Sequence, residues 1–405
     1  MSPAWVVAAL AGAFAFAVAL AALGYRMRWR AAEARLQRVE GDRGALNAML
    51  RGAPVGVFAF AGPRAGASPG LAHLLNLSPG ESDFEQLCGR LADADARRLY
   101  LSAYDRTALD DAVAGDAGRL PQGAIYALPL DALANGDGPL RATAATDTAM
   151  AARDLHPHGI ALLPGGRLAA VNHAYERTGG DWRRRTRIEL FRTGPDRLHR
   201  AGTIAHPALC RANDLAAADA DTLFVTRDHG ACGTAGRWLE DLLGLERGQL
   251  LQVTLGGTPA VEVAAQGLSI PNGVAVASDG QVYVAETRRR AVSVFDVRGL
   301  QNGGRQAPRR IAMDGGPDNL SLGPDGRVLA ALHPTLWRYA LARYRWFGVE
   351  TAATRLVGLA PETGQVTRLF DDPEGRLLAA ATAVLQVPGA LVASSAIDAA
   401  LLVCR

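Results

Sequence analysis

Apolar and polar residues alternate in short runs along most of the chain after residue 81, and tight turns rich in Gly and Asp separate the runs. The clearest runs lie at 98–104, 124–131, 187–193, 222–228, 249–255, 281–287, 291–297 and 355–361. Alternation with period two is typical of β-strands with one buried face. Only one short helix, at 236–244, is expected between them, which argues against a parallel α/β sheet.

Four segments repeat one twelve-residue pattern of polar turn, strand, tight turn and second strand. They start at residues 157, 212, 271 and 317, and their second positions are His158, Asn213, Asn272 and Asp318. Two looser matches carry Ser82 and Thr382 at that position. Six equivalent segments predict an all-β fold, a six-bladed β-propeller with four short strands per blade. A pair of β-sandwiches is the alternative fold.

The shared polar position predicts a metal site. Inner strands of a propeller start at one mouth of the channel, so equivalent polar residues should lie at one level around its axis. The set is Ser82, Asp83, His158, Asn213, Asp214, Asn272, Asp318, Asn319 and Thr382. Oxygen donors dominate it, and calcium prefers six to eight oxygen ligands, amide carbonyls included. The alternative is that these Asn and Asp side chains only make turns at strand ends.

A second histidine, His173, is expected to end the strand that follows His158, at the same end of the blade. Two close imidazoles would let one act as a base while the other orients it. The alternative is a histidine at a wet strand end. His229 and His333 are expected to hold the corresponding position in later blades. Because no GxSxG, P-loop or HExxH motif is present, water is the expected nucleophile of any hydrolysis.

The N-terminus predicts a membrane anchor. Residues 4–24 carry no charge over 21 positions, long enough to span a bilayer as an uncleaved helix; a cleaved signal peptide is the alternative. The basic RMRWR stretch that follows would leave the remainder in the cytoplasm. The expected organisation is an anchor at 1–24, a stalk at 25–80 and the propeller at 81–405. A net charge of +3 gives no case for nucleic acid as a partner.

Cysteines and arginine triplets add smaller expectations. The four cysteines have no CxxC spacing, so zinc is not expected. Cys210 and Cys232 could pair in an oxidising compartment or remain isolated thiols. The arginine triplets at 183–185 and 288–290 are expected to be solvated loop tips, with contact to a membrane surface as the alternative.

Several motifs together resemble the paraoxonase/arylesterase family. They are HPHGIAL, AVNHAYE, ELFR, RANDLAA, VTRDHG, IPNGVAVASDGQVYVAE, GGPDNLSLGPDGRVLAALHP and the ending SSAIDAALLVCR. The resemblance is good from about 155 to 405 and weaker from 81 to 154. It implies a six-bladed propeller with two calcium ions in its tunnel, one catalytic and one structural, that hydrolyses lactones and aryl esters.

The resemblance also implies roles for single residues. Asn213, Asn272, Asp318 and Asn319 would hold the catalytic calcium. Asp83, Asp214 and the backbone carbonyl of Ile160 would hold the structural calcium. His158 and His173 would be the catalytic base and its helper, and Asp228 and His229 match a pair behind them.

Two departures from the family bear on activity and location. The family has an adjacent Glu-Asp pair in its first blade; here Asp83 fits the Asp, but Ser82 stands at the Glu position, with Glu81 one residue away. The family also ties its chain ends by a disulfide; Cys404 matches one partner, and Cys88 is a doubtful second. Calcium is scarce in the cytosol, so a calcium-dependent propeller conflicts with the orientation that the basic stretch predicts. A non-catalytic, membrane-attached binding module and a propeller of the gluconolactonase or strictosidine-synthase type remain alternatives.

Overall fold

The computed structural model describes residues 98–130, 142–146, 154–301, 307–387, 390–398 and 400–404. The expected anchor at 1–24, the expected stalk at 25–80 and the first-blade residues Ser82 and Asp83 lie outside the described residues. Within the described ranges, no helix combines the length and apolar character needed to cross a bilayer.

Six antiparallel sheets follow one another along the chain. The first holds β1 (Arg98–Ala103), β2 (Ala124–Pro129) and β3 (Thr143–Ala144). The second holds β4 (Pro157–Leu163), β5 (Arg167–Thr178), β6 (Asp181–Thr193) and β7 (Leu198–Ile204), and the third β8 (Ala212–Ala217), β9 (Thr222–Arg227), β10 (Gly248–Thr254) and β11 (Ala260–Leu268). The fourth holds β12 (Pro271–Val276), β13 (Gln281–Glu286), β14 (Ala291–Asp296) and β15 (Arg309–Ala312). The fifth holds β16 (Gly316–Leu322), β17 (Val328–His333), β18 (Thr354–Leu359) and β19 (Val366–Asp372), and the sixth β20 (Ala381–Val387), β21 (Ala390–Ser395) and β22 (Leu401–Cys404).

Helices interrupt this pattern at four described places: α1 (Arg106–Ala114), α2 (Thr234–Leu243), α3 (Val297–Gln301) and α4 (Leu336–Arg343). Short 3-10 helices lie at Pro207–Arg211 and Trp346–Gly348. The predicted helix at 236–244 corresponds to α2. The alternating runs did not reveal the other three, since these are short and lie in connections between strands.

Apolar side chains that face neighbouring sheets form the core and close the ring. Each pair of consecutive sheets shares its own buried cluster; the cluster between the second and third sheets, for example, includes Val171, Ile188 and Val225. The closing contact joins the first sheet to the last, where Leu99 and Leu128 pack with Val392 and Leu401. Six sheets joined by six such clusters form a six-bladed β-propeller, as the repeats predicted, and not a pair of sandwiches.

Residues 337–351 belong to a second compact unit. Within it, Arg338 Nε donates a hydrogen bond to the Thr351 carbonyl (3.2 Å), and the Tyr344 and Trp346 rings stack 5.2 Å apart. Trp337 and Phe347 are exposed.

Candidate active site

The predicted polar positions coincide with β-bulges in five inner strands. The ladder between the first two strands of a blade shifts register between Pro157 and Ile160, Ala212 and Leu215, Pro271 and Val274, Pro317 and Leu320, and Ala381 and Ala383. A bulge removes one or two residues from the ladder and re-aims their side chains. The residues that the ladder skips at these bulges include His158, Asn213, Asp214, Asn272, Asp318, Asn319 and Thr382. Because the inner strands contact one another in sequence, from β4 to β20, the bulges form an arc around the channel.

Two glycines allow these bulges to approach each other closely. A Cβ atom at Gly159 would lie 2.4 Å from Asp214 Oδ1, and one at Gly273 would lie 2.5 Å from the Asn319 Cα. Neither contact leaves room for a side chain, so glycine after His158 and Asn272 is a steric requirement. The bulges of neighbouring inner strands are therefore packed directly against each other at the site.

His158 and His173 lie side by side, as predicted. Their ring centroids are 4.9 Å apart. His173 Nε2 hydrogen-bonds with the Ala212 carbonyl (3.0 Å), and the His158 side chain hydrogen-bonds with Asn213. The Ser102 hydroxyl donates to the His158 carbonyl, which ties the bulge to the first sheet.

Both imidazoles are kept neutral. Burial, followed by the positive charges of Arg106 and Arg184, lowers the pKa of His158 to about 4. Burial, Arg184 and the neighbouring His158 lower the pKa of His173 well below its ordinary value. Neutral imidazoles at pH 7 can accept a proton.

Two buried carboxylates face the same channel. Burial and, to a smaller extent, the charge of Asp318 raise the pKa of Asp214 to about 7, against opposing hydrogen bonds from the Val274 and Leu215 backbone amides. Asp318 Oδ2 lies 2.8 Å from His333 Nε2. Asp214 has no Arg or Lys partner among the described residues. A cation beside this pair would favour its charged form.

The amide side chains complete the candidate ligand set. Asn319 donates through Nδ2 to the Thr382 carbonyl (2.9 Å), and the described residues place no hydrogen bond on its Oδ1. Asn213, Asn272 and Asn319 are partly exposed to the channel. No group of three or more His, Cys, Asp and Glu side chains in the described ranges could hold a metal by itself. Amide oxygens with two carboxylates instead form a donor set that fits calcium.

Of the two remaining predicted ligands, Ile160 and Asp83, the structure describes only Ile160. Ile160 lies at the end of the β4 bulge, next to Gly159, and pairs with Ala170. Asp83 lies outside the described residues. The two-calcium assignment therefore stays a prediction for Ile160, Asp83 and the other ligands.

Register corrects two expectations about the histidines. Strand β5 does not end at His173 but continues to Thr178. Asn172 pairs with Pro157 and Arg227 with Ala212, so the residue equivalent to His173 in the third sheet is Asp228, not His229. His333 does hold the equivalent position in the fifth sheet, where it pairs with Gly316. Pro157 and Ala212 each pair with the residue 15 positions later, so the sequence spacing already indicated Asp228. The prediction of His229 followed the residue type and not the spacing.

His229 is instead the centre of an ionic network behind the site. Its Nδ1 lies 2.9 Å from Asp228 Oδ1, and its Nε2 lies 3.0 Å from Asp241 Oδ1. Arg288 also binds Asp241 (2.5 Å). Burial opposes the charge on His229, but the hydrogen bonds to Asp228 and Asp241 outweigh it and raise the pKa to about 9. Helix α2 carries Asp241, and sequence reasoning did not find that residue.

A disulfide joins the segment before β8 to the loop before α2. Cys210 and Cys232 are bonded, with Cα atoms 5.5 Å apart. The bond links the segment before Asn213 to the loop after His229. Of the two alternatives that the sequence left open, the structure has the pair. Cys404 has no disulfide partner among the described residues, and Cys88 lies outside them.

The arginine triplets match the expected solvated loop tips only in part: residues 288–290 form the turn after β13, but Arg288 and Arg289 are half-buried there. Residues 183–185 lie within β6, and Arg184 is half-buried. Arg289 binds the buried Glu286 (2.9 Å) and Glu246 (2.5 Å). The prediction was wrong for the position of 183–185 and for the solvation of Arg289, because a charge run says nothing about strand length or about distant carboxylates.

The fold and site define a six-bladed propeller with a histidine pair and an oxygen-rich arc of side chains in its channel. The chain matches the Arylesterase family over residues 138–404 and belongs to that family. It is 26% identical over 185 residues to serum paraoxonase/arylesterase 2 of Bos taurus and, over the same length, to serum paraoxonase/arylesterase 1 of Mus musculus. Each alignment covers 44% of this chain and 49% of the relative, so the chain spans about half the length of the curated relatives it matches.

Similarity to solved structures is lower in sequence identity and has modest TM-scores. A gluconolactonase of Xanthomonas campestris is 17% identical with a TM-score of 0.43, covering 70% of this chain and 82% of that one. A luciferin-regenerating enzyme is 14% identical with a TM-score of 0.45, covering 75% of this chain and 81% of that one.

Proposed function

We propose that this protein is a calcium-dependent hydrolase of lactones or aryl esters. Membership of the arylesterase family supports an ester-hydrolysing propeller. The observation that carries the proposal is the neutral His158–His173 pair beside two buried carboxylates and three amides in one channel. Asn213, Asn272, Asp318 and Asn319 would hold the catalytic ion, while Asp214, Asp83 and the Ile160 carbonyl would hold the structural one.

The chemistry divides between the ion and the side chains. When bound, calcium would polarise the carbonyl of the substrate and favour negative charge on its oxygen. One imidazole of the pair removes a proton from water, so that water attacks the carbonyl carbon. We assign that role to His158, which is partly open to the channel, whereas His173 is buried and holds its neighbour in place. The protonated imidazole then returns the proton to the leaving oxygen.

Hydrolysis measured with and without calcium tests this proposal. Phenyl acetate and a δ-lactone are given to the full-length chain with calcium, after chelation, and after calcium is restored. Activity that disappears on chelation and returns with calcium is expected. A folded protein that binds calcium and hydrolyses neither substrate would refute the proposal and favour the binding module. Ser82, which stands where the family has Glu, would then be the first residue to change to Glu.

We also propose where the enzyme acts. Residues 1–24 would anchor it in a membrane through a single span, the stalk at 25–80 would follow, and the propeller would lie on the oxidising side. The Cys210–Cys232 disulfide supports that side, since disulfides persist in oxidising compartments and calcium is plentiful there. A thiol-reactive, membrane-impermeant reagent applied to intact cells after reduction should label Cys210 and Cys232. Labelling that requires cell lysis would place the propeller in the cytoplasm instead.

A further inference from the structure

One hairpin is much longer than its equivalents. Strand β5 has 12 residues and β6 has 13, whereas β9, β13 and β17 have 6 each. The extra length begins where His173 pairs with Thr186 and ends where Thr178 pairs with Asp181. Residues 174–185 therefore project beyond the blade at the end that carries the histidine pair.

The register determines which side chains of this hairpin share a face with His173. Directly paired residues lie on one face, and the face alternates with every step along a strand. The face of His173 and Thr186 therefore continues with Tyr175 and Arg184. The opposite face carries Glu176, Arg183 and Arg185, all of which are exposed.

Contacts with the turn that follows α1 hold the hairpin in place. The Arg177 guanidinium lies 4.9 Å from the centre of the Trp182 ring and binds Asp116 (2.7 Å). Trp182 Nε1 donates a hydrogen bond to the Ala117 carbonyl (2.9 Å). Nearer the blade, the Tyr175 ring lies 5.6 Å from the ring of His156, edge to face. The face that carries Arg184 is thus a fixed wall beside the histidine pair.

The three consecutive arginines differ in their partners. Arg183 is bound to Asp181 (3.3 Å) and Arg185 to Glu176 (3.6 Å). In the part of the chain that the structure describes, the Arg184 side chain forms neither a hydrogen bond nor an ion pair. Burying a guanidinium costs hydration free energy, and without an anion beside it nothing offsets that cost. A bound anion would offset it.

The positive charge of Arg184 reaches the reactive groups. It contributes to the lowered pKa of both His158 and His173, and it also acts on the carboxylates of Asp228 and Asp110. Neither carboxylate lies within ion-pair distance of Arg184 among the described contacts. The guanidinium is therefore close to the histidine pair and is not neutralised there by a bound carboxylate.

We propose that Arg184 binds an anionic group of the substrate, so that the preferred ester or lactone carries a carboxylate. The proposal rests on the hydrolase function above and adds the substrate class. A planar guanidinium fits a carboxylate through two parallel hydrogen bonds. Arg184 is a specificity residue: it recognises a part of the substrate that does not react.

Two esters with the same leaving group test this role. Phenyl acetate is neutral, whereas monophenyl succinate carries a carboxylate, and the full-length protein is assayed on both with calcium. For Arg184→Gln we expect the ratio of kcat/KM for monophenyl succinate to that for phenyl acetate to fall about 10- to 100-fold, the loss typical of a charge-assisted hydrogen bond. Arg184→Lys, which keeps the charge, should restore part of the ratio. Arg183→Gln and Arg185→Gln are matched controls from the opposite face and should leave it unchanged.

Other outcomes would overturn the proposal or separate it from the hydrolase function. An equal loss on both esters in Arg184→Gln and in Arg184→Lys would mean a structural role and contradict anion binding. If the wild-type protein hydrolyses neither ester, the hydrolase function fails, and binding of benzoate is then followed through tryptophan fluorescence. Benzoate affinity that falls about tenfold or more in Arg184→Gln, but not in Arg183→Gln, upholds the anion site by itself. Equal affinity in wild type and Arg184→Gln overturns it.

Discussion

The bulged inner strands and the additions around the second and third sheets follow different rules. Five inner strands bulge at the same position, and their polar residues differ only in type. Among the described residues, the long β5–β6 hairpin, the Cys210–Cys232 bond and the network of His229 with α2 each occur once. The repeated part builds the channel and its donor atoms, while the single additions shape one side of its mouth.

This difference separates chemistry from selectivity. Donor atoms that come from several blades need every blade in position, so the whole ring holds the site. A hairpin that extends one blade changes which side chains can contact a substrate at the mouth of the channel, without disturbing the ring of blades. Substitutions in the two regions should therefore have different consequences.

The largest effect is expected in the repeated part, at Asp318. Asp318→Ala removes a buried carboxylate of the donor set, so we expect calcium binding to weaken and hydrolysis to fall by at least about 100-fold, because metal polarisation supplies several kcal/mol. Metal content and phenyl acetate turnover measure both. Asp279→Ala, in a turn where Asp279 only accepts from the Gln281 amide (2.9 Å), is the matched control. Full activity in Asp318→Ala would rule out this assignment.

The histidine pair should show an asymmetric loss. We expect His158→Gln to lower kcat by about 10²- to 10⁴-fold, as for the loss of a general base. His173→Gln should lower it less, since His173 acts by positioning its neighbour. Calcium content should remain normal in both variants. A larger loss in His173→Gln would exchange the two roles.

Breaking the disulfide should affect stability more than chemistry. The bond closes a loop with a sequence separation of 22, so the double variant Cys210→Ser, Cys232→Ser should lose about 3 kcal/mol in the free energy of unfolding. Urea unfolding measures the loss, and Cys404→Ser serves as the control. An unchanged midpoint would mean that the bond does not constrain this region.

The network of His229 predicts a dependence of stability on pH. Its folded pKa of about 9 lies above the ordinary value of 6.5, so its contribution is fully present below about pH 6.5 and is lost as the pH rises through about 9. The contribution is at most about 3 kcal/mol. The difference in unfolding free energy between the wild type and His229→Gln should therefore shrink from pH 6 to pH 10. A difference that grows with pH would contradict the assigned charge.

The smallest effect is expected at the far end of the hairpin. Arg177→Ala removes an exposed ion pair with Asp116 and the contact with Trp182, so it should cost about 1 kcal/mol or less. Hydrogen exchange in residues 174–185 should increase, while exchange in the blade itself stays slow. Faster exchange throughout the second sheet would mean that the hairpin also supports the ring.

The repeated part of the fold could be predicted from the amino-acid sequence alone. The twelve-residue pattern carried the alternation, the turns and the polar position, so it predicted six blades and placed His158, Asn213, Asn272 and Asp318 at equivalent points. Short-range periodicity is sufficient for this because each blade is built from local antiparallel pairs. The same strand spacing predicted that His173 lies beside His158, and the family motifs added the roles of base and helper.

The features that occur in single blades could not be predicted in this way. Whether Cys210 meets Cys232, which carboxylates hold His229, and which arginine of 183–185 turns toward the histidines all depend on strand length and register. A shift of one residue moves a side chain to the other face of a strand, and a charge run gives no sign of such a shift. The length and register of the β5–β6 hairpin therefore placed Arg184 beside the site and left Arg183 and Arg185 paired at the surface.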